Sequence, residues 1–222
     1  MSTALVILTL NEVHGAKELF PRIKKEWVDE IIVVDGGSTD GTVEEIRKSG
    51  FKMIGQSIKG HGGAILAGIE ETTTDNIVIF GADGNHEPEK IPDLIKKLEE
   101  GAYDQVINSR FGKTSINNDA GIIDGFGNKM FTFLANVIFN GNISDTLNEF
   151  RIITRKAWDE LGFDEYSNAS TYQISVLGMK KKQKFGEIIG NESERIGGTR
   201  KMKRIPTGWR CIRIILREFF RD

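Results

Sequence analysis

Apolar runs of strand length alternate with helix-patterned segments through the first half of the chain. Residues 4–8, 30–34, 51–54, 77–80 and 105–108 read as short strands, and helical spacing appears over 13–25, 42–48, 62–71 and 88–99. Repeated β-α-β of this kind predicts an α/β fold, a Rossmann-like and mostly parallel central sheet with helices on both faces. Ligand-binding residues then belong in the loops that follow the strands. Past residue 111 the regularity weakens. Residues 112–124 are polar and rich in Asn, Asp and Gly, which predicts an exposed loop that could act as a lid. Phe126, Met130, Phe133, Leu134, Val137 and Ile138 recur at helical spacing and are expected to pack in the core. Strands at 150–154 and near 185–189 complete the expected sheet.

The tail changes the picture. From Trp209 onward, Trp209, Ile212, Ile215, Leu216, Phe219 and Phe220 fall on one helical side, with Arg210, Arg213, Arg217 and Arg221 along another. A basic amphipathic helix of this type can lie on an anionic membrane face or pack on its own domain. Two units are therefore expected, a domain over 1–205 and this helix over 206–222. Residues 180–222 hold 13 Lys and Arg against 5 Asp and Glu, net +8, within a chain of net charge −2. That asymmetry favours a phosphate-bearing partner or anionic lipid at the C-terminal end.

Composition sets outer bounds. With 222 residues, 39% hydrophobic and 28% charged, the chain fits a globular domain with a substantial core. The single Cys211 excludes an internal disulfide framework, and no apolar run approaches the roughly 20 residues needed to span a bilayer. With no recognisable leader, the expected location is cytoplasmic, either free or peripheral on the cytoplasmic face of a membrane.

Candidate chemistry clusters where strands stop. The run from Ile77 to Phe80 breaks into Gly81, Ala82, Asp83, Gly84, Asn85, His86, Glu87 and Pro88, a concentration of hard oxygen donors suited to a divalent ion. The earlier loops supply Asn11 and Glu12, then Asp35, Gly36, Gly37, Ser38 and Thr39. An Asp at a strand end can accept from a ribose hydroxyl or a base N–H. No GxGxxG follows the first strand and no GxxxxGK[ST] occurs, so dinucleotide and P-loop readings lose support. Lys59-Gly60-His61-Gly62-Gly63 before a helix could approach a pyrophosphate, or the glycines could be packing devices. His61 is read equally as a solvent-exposed loop residue.

Together the stretches TLNE, EIIVVDGGSTDGT, KGHGGAILAGI, ADGNHEP, NSRF, GNKMFTFLANVIF, SDTLNEFR and RIGGTRK resemble family 2 glycosyltransferases of GT-A fold. Within them, the similarity is to the dolichol-phosphate mannose synthase and polyprenyl-phosphate glycosyltransferase branch. The resemblance implies an inverting transfer of a hexose, mannose from GDP-mannose, to a polyprenyl or dolichyl phosphate. It implies donor-nucleotide contacts from Leu10, Glu12, Asp35, Lys59, Ala82 and Asp83, and a Mg²⁺ or Mn²⁺ ion on Asp83 and Asn85. Acceptor-phosphate contacts would come from Ser109, Arg110, Arg195, Arg200 and Lys201, with Asp83, Arg110 and Asp145 as catalytic residues. The partners implied are a nucleoside diphosphate sugar and a lipid phosphate, with no nucleic acid.

The chain departs from the family's pattern. The usual Asp-Ala-Asp-Gly-Gln-His-Asp-Pro has Gly81 in place of its first Asp, Asn85 for Gln and Glu87 for the later Asp; Arg200 stands for a Ser, and Glu149 where Gly is frequent. A monoester phosphate, with its second pKa near 6, is already anionic and needs no strong base. A hydroxyl acceptor would demand one at Asp145 or Glu149. Two alternatives stay open: a UDP-sugar-dependent transferase, including one acting on a hydroxyl, and a catalytically weak nucleotide-sugar-binding protein caused by Gly81.

Overall fold

A computed structural model describes residues 1–111, 122–191, 195–197 and 202–221. Its seven strands are β1 (Thr3–Thr9), β2 (Glu30–Asp35), β3 (Lys52–Gly55), β4 (Asn76–Gly81), β5 (Gln105–Ser109), β6 (Arg151–Thr154) and β7 (Phe185–Ile189). They form one sheet in the order β3-β2-β1-β4-β6-β5-β7, parallel except for β6, which runs antiparallel to β4 and β5. β1 is buried along its whole length and so is β4. That double-sided burial explains their unbroken apolar sequence. The pairings Thr9↔Asp35 and Leu8↔Gly81 bring the ends of β1, β2 and β4 to one edge.

Helices α1 (Val13–Leu19), α2 (Thr42–Ser49), α3 (His61–Glu70) and α4 (Ile91–Gly101) cross between the early strands. The helix expected over 13–25 stops at Leu19 and passes into two short 3₁₀ turns. Pro21 has no N–H to continue the ladder, so the helical pattern outlasts the α-helix. Two core clusters cover opposite sheet faces, one around Leu5, Ile7, Phe80 and Phe150, the other around Val6, Ile32, Ile65 and Ile79.

The later helices are α5 (Ile122–Phe139), α6 (Arg155–Asp159), α7 (Ser170–Lys180) and α8 (Arg204–Phe220). A third cluster joins α5, α7 and α8 through Phe131, Ala135, Tyr172, Val176, Cys211, Ile214 and Ile215. The expectation for α5 needs correction. Phe126, Phe133 and Val137 are 70%, 65% and 64% exposed, and Met130 is exposed as well. Apolar residues surround this helix, so the stripe through Phe131 and Ala135 can face the domain while another stripe faces out. α8 shows the same division. Ile215 packs inward beside Cys211 and Ile214, while Trp209, Leu216, Phe219 and Phe220 are exposed. The boundary expected at 205/206 falls inside α8. Of the expected loop at 112–124, residues 112–121 lie outside the described residues, and the last three open α5.

Candidate active site

The strand ends open onto a cavity of about 790 Å³ lined by Leu10, Glu12, Asp83, Asn85, His61, Glu149 and Arg195 at the β1–β4 side. It continues past Arg110 to Phe131, Ile205, Gly208 and Cys211, between α5 and α8. Burial pushes the Cys211 thiol up to about 12, which makes it an inert wall residue.

Glu12 is placed by two loops that lock together. Asn11 accepts from the Thr39 N–H at 2.8 Å and donates its own N–H to Ser38 Oγ, also at 2.8 Å. The Glu12 N–H donates to Thr42 Oγ1 at 2.9 Å, and that hydroxyl donates to Asp40. Asp35 accepts from the N–H groups of Gly37 and Ser38 at 3.0 and 2.9 Å, and from the Thr9 hydroxyl. Its carboxylate shapes the loop, while Gly36 reaches the cavity wall. Lys59 is exposed and lines the cavity, and Ala82 lines it from β4's end.

Arg195 spans the donor side, 2.7 Å from Glu12 Oε1 and 2.7 Å from Asp83 Oδ2. The sequence reading expected this arginine on an acceptor phosphate; in the structure it sits against Glu12 and Asp83, the two carboxylates expected to face the donor. Arg200 and Lys201 lie outside the described residues. Asp83 is nonetheless short of positive charge. Burial, then the neighbouring Glu149 carboxylate, pushes it up to about 6 against the opposing pull of Arg195 and His86. Glu149 goes the other way. Burial disfavours its charge, but the charge of and hydrogen bond from His61 outweigh that and hold it well below the carboxylate range. The two acids are thus pushed in opposite directions, Asp83 up and Glu149 down.

Sequence reasoning named His61 and Glu149 separately and missed that they meet. His61 opens α3 with its side chain largely covered, Nε2 on Glu149 and Nδ1 2.7 Å from Ser170 Oγ. The glycines beside it are packing devices: a Cβ at Gly62 would stand 2.1 Å from the Glu165 carbonyl oxygen, and one at Gly63 1.9 Å from that of Ile58. The available signal was a pair of departures, an acid lost at 81 and an acid gained at 149.

On the acceptor side, Arg110 meets Asp145 bidentately, Nε to Oδ2 at 2.7 Å and Nη2 to Oδ1 at 3.0 Å. Asp145 is fully buried and outside the cavity wall. Burial disfavours its charge, but Arg110 outweighs this and holds the carboxyl below its ordinary value. Expected among the catalytic residues, Asp145 is sealed under Arg110, where its two bonds hold that arginine in orientation. Ser109 is buried with its hydroxyl 2.5 Å from Ser144 Oγ, behind the cavity wall. Buried Arg151 fixes the loop between Asp145 and Glu149, donating to the Asn148 carbonyl at 2.6 and 3.1 Å and to that of Thr146 at 3.4 Å.

Among the described residues no group of three or more His, Cys, Asp or Glu side chains is arranged to hold a metal ion. Mg²⁺ needs less from a protein, since one or two carboxylates plus substrate phosphates suffice. Asp83 and Glu149, two coupled carboxylates beside Asn85, are chemically suited to that role.

The mostly parallel sheet with its lone antiparallel strand, and a cavity across the strand ends, have the GT-A architecture. The chain belongs to glycosyl transferase family 2, whose family model matches residues 4–162. It is 26% identical over 96% of its length to the low-salt glycan biosynthesis hexosyltransferase Agl6 of Haloferax volcanii, covering 52% of that protein. It is 36% identical over 51% of its length to the dolichol-phosphate mannosyltransferase of Pyrococcus furiosus, covering 34% of it. The chain thus spans about half of the first relative and a third of the second. Among solved structures, glucosyl-3-phosphoglycerate synthase from Mycobacterium tuberculosis with Mn²⁺, UDP and phosphoglyceric acid superposes with a TM-score of 0.78 at 18% identity, covering 99% of this chain and 78% of that one. Among the described residues, no helix is long and apolar enough to cross a membrane.

Proposed function

We propose that this chain transfers a hexose from a nucleoside diphosphate sugar to a polyprenyl phosphate, inverting the anomeric carbon. The observation that carries the reading is the continuity of the cavity. It joins carboxylates and Arg195 at the strand ends, through Arg110, to a groove between α5 and α8 that carries Phe131, Ile205 and Cys211 and the Arg204–Asp124 ion pair. A diphosphate, a second phosphate and a hydrocarbon chain need those three environments in that order. The guanidinium of Arg110, held in orientation by Asp145, suits the acceptor phosphate. That acceptor is already anionic at neutral pH, so the sealing of Asp145 removes nothing the reaction requires. Asp83, Glu149 and Asn85 would hold a Mg²⁺ or Mn²⁺ ion, which when bound supplies charge stabilisation to the departing diphosphate.

The exposed apolar residues of α5 and α8, with Arg213 on α8 and Arg221 just past its end, fit a membrane surface at the groove's mouth. This supports a peripheral position on the leaflet that holds the lipid acceptor. GDP-mannose is the first donor to test because of the mannosyltransferase relative; UDP-glucose is the second, because the structural neighbour carries UDP.

The test is incubation with Mn²⁺, radiolabelled GDP- and UDP-sugars and a short polyprenyl phosphate. Organic-extractable label from one donor, lost in Asp83→Ala, is expected. Nucleotide binding without label from any donor would instead favour a non-catalytic binding protein.

A further inference from the structure

β4 ends at Gly81 with no side chain, and the space is already taken. A Cβ built there would stand 2.0 Å from Glu149 Oε1 and 3.9 Å from Asp83 Oδ1. The two carboxylates therefore border a single point at the end of β4. Glu149 is held in this pose from both sides. Its Oε2 is engaged by His61, which is itself anchored on Ser170, so Oε1 is the atom turned toward Gly81. Arg151 clamps the carbonyl of the preceding residue, Asn148. His86, 4% exposed, lines the same cavity, and its Nδ1 has no hydrogen-bond partner among the described residues.

We propose that Glu149 supplies from the loop before β6 the carboxylate that Gly81 lacks, forming with Asp83 a two-carboxylate clamp for the divalent ion of the donor diphosphate. This rests on the transferase reading and assigns its metal ligands. A hard divalent cation takes carboxylate oxygens and substrate phosphates together. Two carboxylates around one point repel until such a cation arrives, and a smaller acid replacing Glu149 would not span the gap. Gly81 is then a requirement for the site, since any side chain there collides with the Glu149 carboxylate. His61 acts as a positioning residue, fixing which oxygen faces the ion. An acid restored at 81 alone is predicted to harm the site, because it adds a third carboxylate to space already occupied.

The experiment is Mn²⁺ titration by electron paramagnetic resonance, with UDP and with GDP, alongside thermal unfolding. The forms are wild type, Glu149→Gln, Gly81→Asp, Glu149→Gly and the double variant Gly81→Asp with Glu149→Gly. Glu149→Gln should weaken nucleotide-dependent Mn²⁺ binding by about tenfold or more. Gly81→Asp alone should lower the unfolding temperature, and adding Glu149→Gly should recover both stability and Mn²⁺ affinity. Equal Mn²⁺ affinity in wild type and Glu149→Gln overturns the clamp, as does a double variant no better than the worse single one. Nucleotide bound with no dependence on Mn²⁺ overturns the clamp while leaving the transferase reading intact. Binding of neither UDP nor GDP by any form overturns both.

Discussion

Two arginine–carboxylate centres face one another along the cavity, and they are balanced differently. At the acceptor end, Asp145 has two bonds from Arg110, one from its backbone N–H at 3.3 Å and one from Asn128 at 3.2 Å. Its charge is satisfied and its carboxyl is held low. At the donor end, Arg195 is divided between Glu12 and Asp83, with Glu149 adding a further negative charge, and Asp83 is pushed up to about 6 by burial and by that neighbour. An arginine contact is therefore a poor marker of a binding site. Local imbalance between acids and cations is the better one, because it identifies where an incoming cation lowers the energy.

The largest effect that would break this comparison is on turnover. Asp83→Ala is expected to reduce sugar transfer by about 100-fold or more with little loss of thermal stability; the reverse pattern would place Asp83 among structural residues. Arg110→Ala should do the opposite on stability. It strands Asp145 buried without its cation, costing about 3–5 kcal/mol, measurable by denaturant unfolding.

Acid dependence sharpens the contrast. Asp145, whose folded-state pKa is lowered, contributes stability above the ordinary carboxylate pKa that is lost as pH falls through its folded value. Asp83, whose folded pKa is raised, contributes stability at low pH that is lost as pH rises through about 6. Asp83→Asn should thus gain stability relative to wild type above pH 6, while Asp145→Asn should lose it there. Unfolding curves at pH 5 and pH 8 check both signs. The smallest effect concerns the outer face of the acceptor end. Trp209→Glu or Phe133→Glu should lower partitioning onto anionic liposomes about tenfold, as loss of one buried aromatic contact implies, with unchanged Mn²⁺ binding. Equal flotation would remove the membrane part of the account.

The donor half was legible because β1 and β4 are buried on both faces and read as continuous apolar runs, with polar loops marking their ends. α7 was invisible for the opposite reason. Every residue from Ser170 to Met179 is buried, so no polar face exists to reveal a helical period. α5 showed a period, but an apolar residue on a helix does not say which stripe meets the core. Asp83, Glu12 and Lys59 were singled out from strand ends and resemblance together, and all three line the cavity. The Gly81–Glu149 exchange was not, because it is a contact between residues distant in sequence, and neither departure carries meaning until the side chain of one fills the space left by the other. Asp145 was picked out, but its burial under Arg110 was not, since sequence gives an acid's presence and not its cover.

The central claim is that the imbalance at Asp83 and Glu149 holds a divalent ion against a nucleoside diphosphate. Anomalous scattering from crystals grown with Mn²⁺ and UDP or GDP tests it directly. The account predicts one Mn²⁺ peak within about 2.0–2.6 Å of oxygens from both Asp83 and Glu149, with diphosphate oxygens completing the shell. A nucleotide bound in the cavity with no peak there, or a Mn²⁺ ion that touches Asp83 while Glu149 stays turned away, would contradict it.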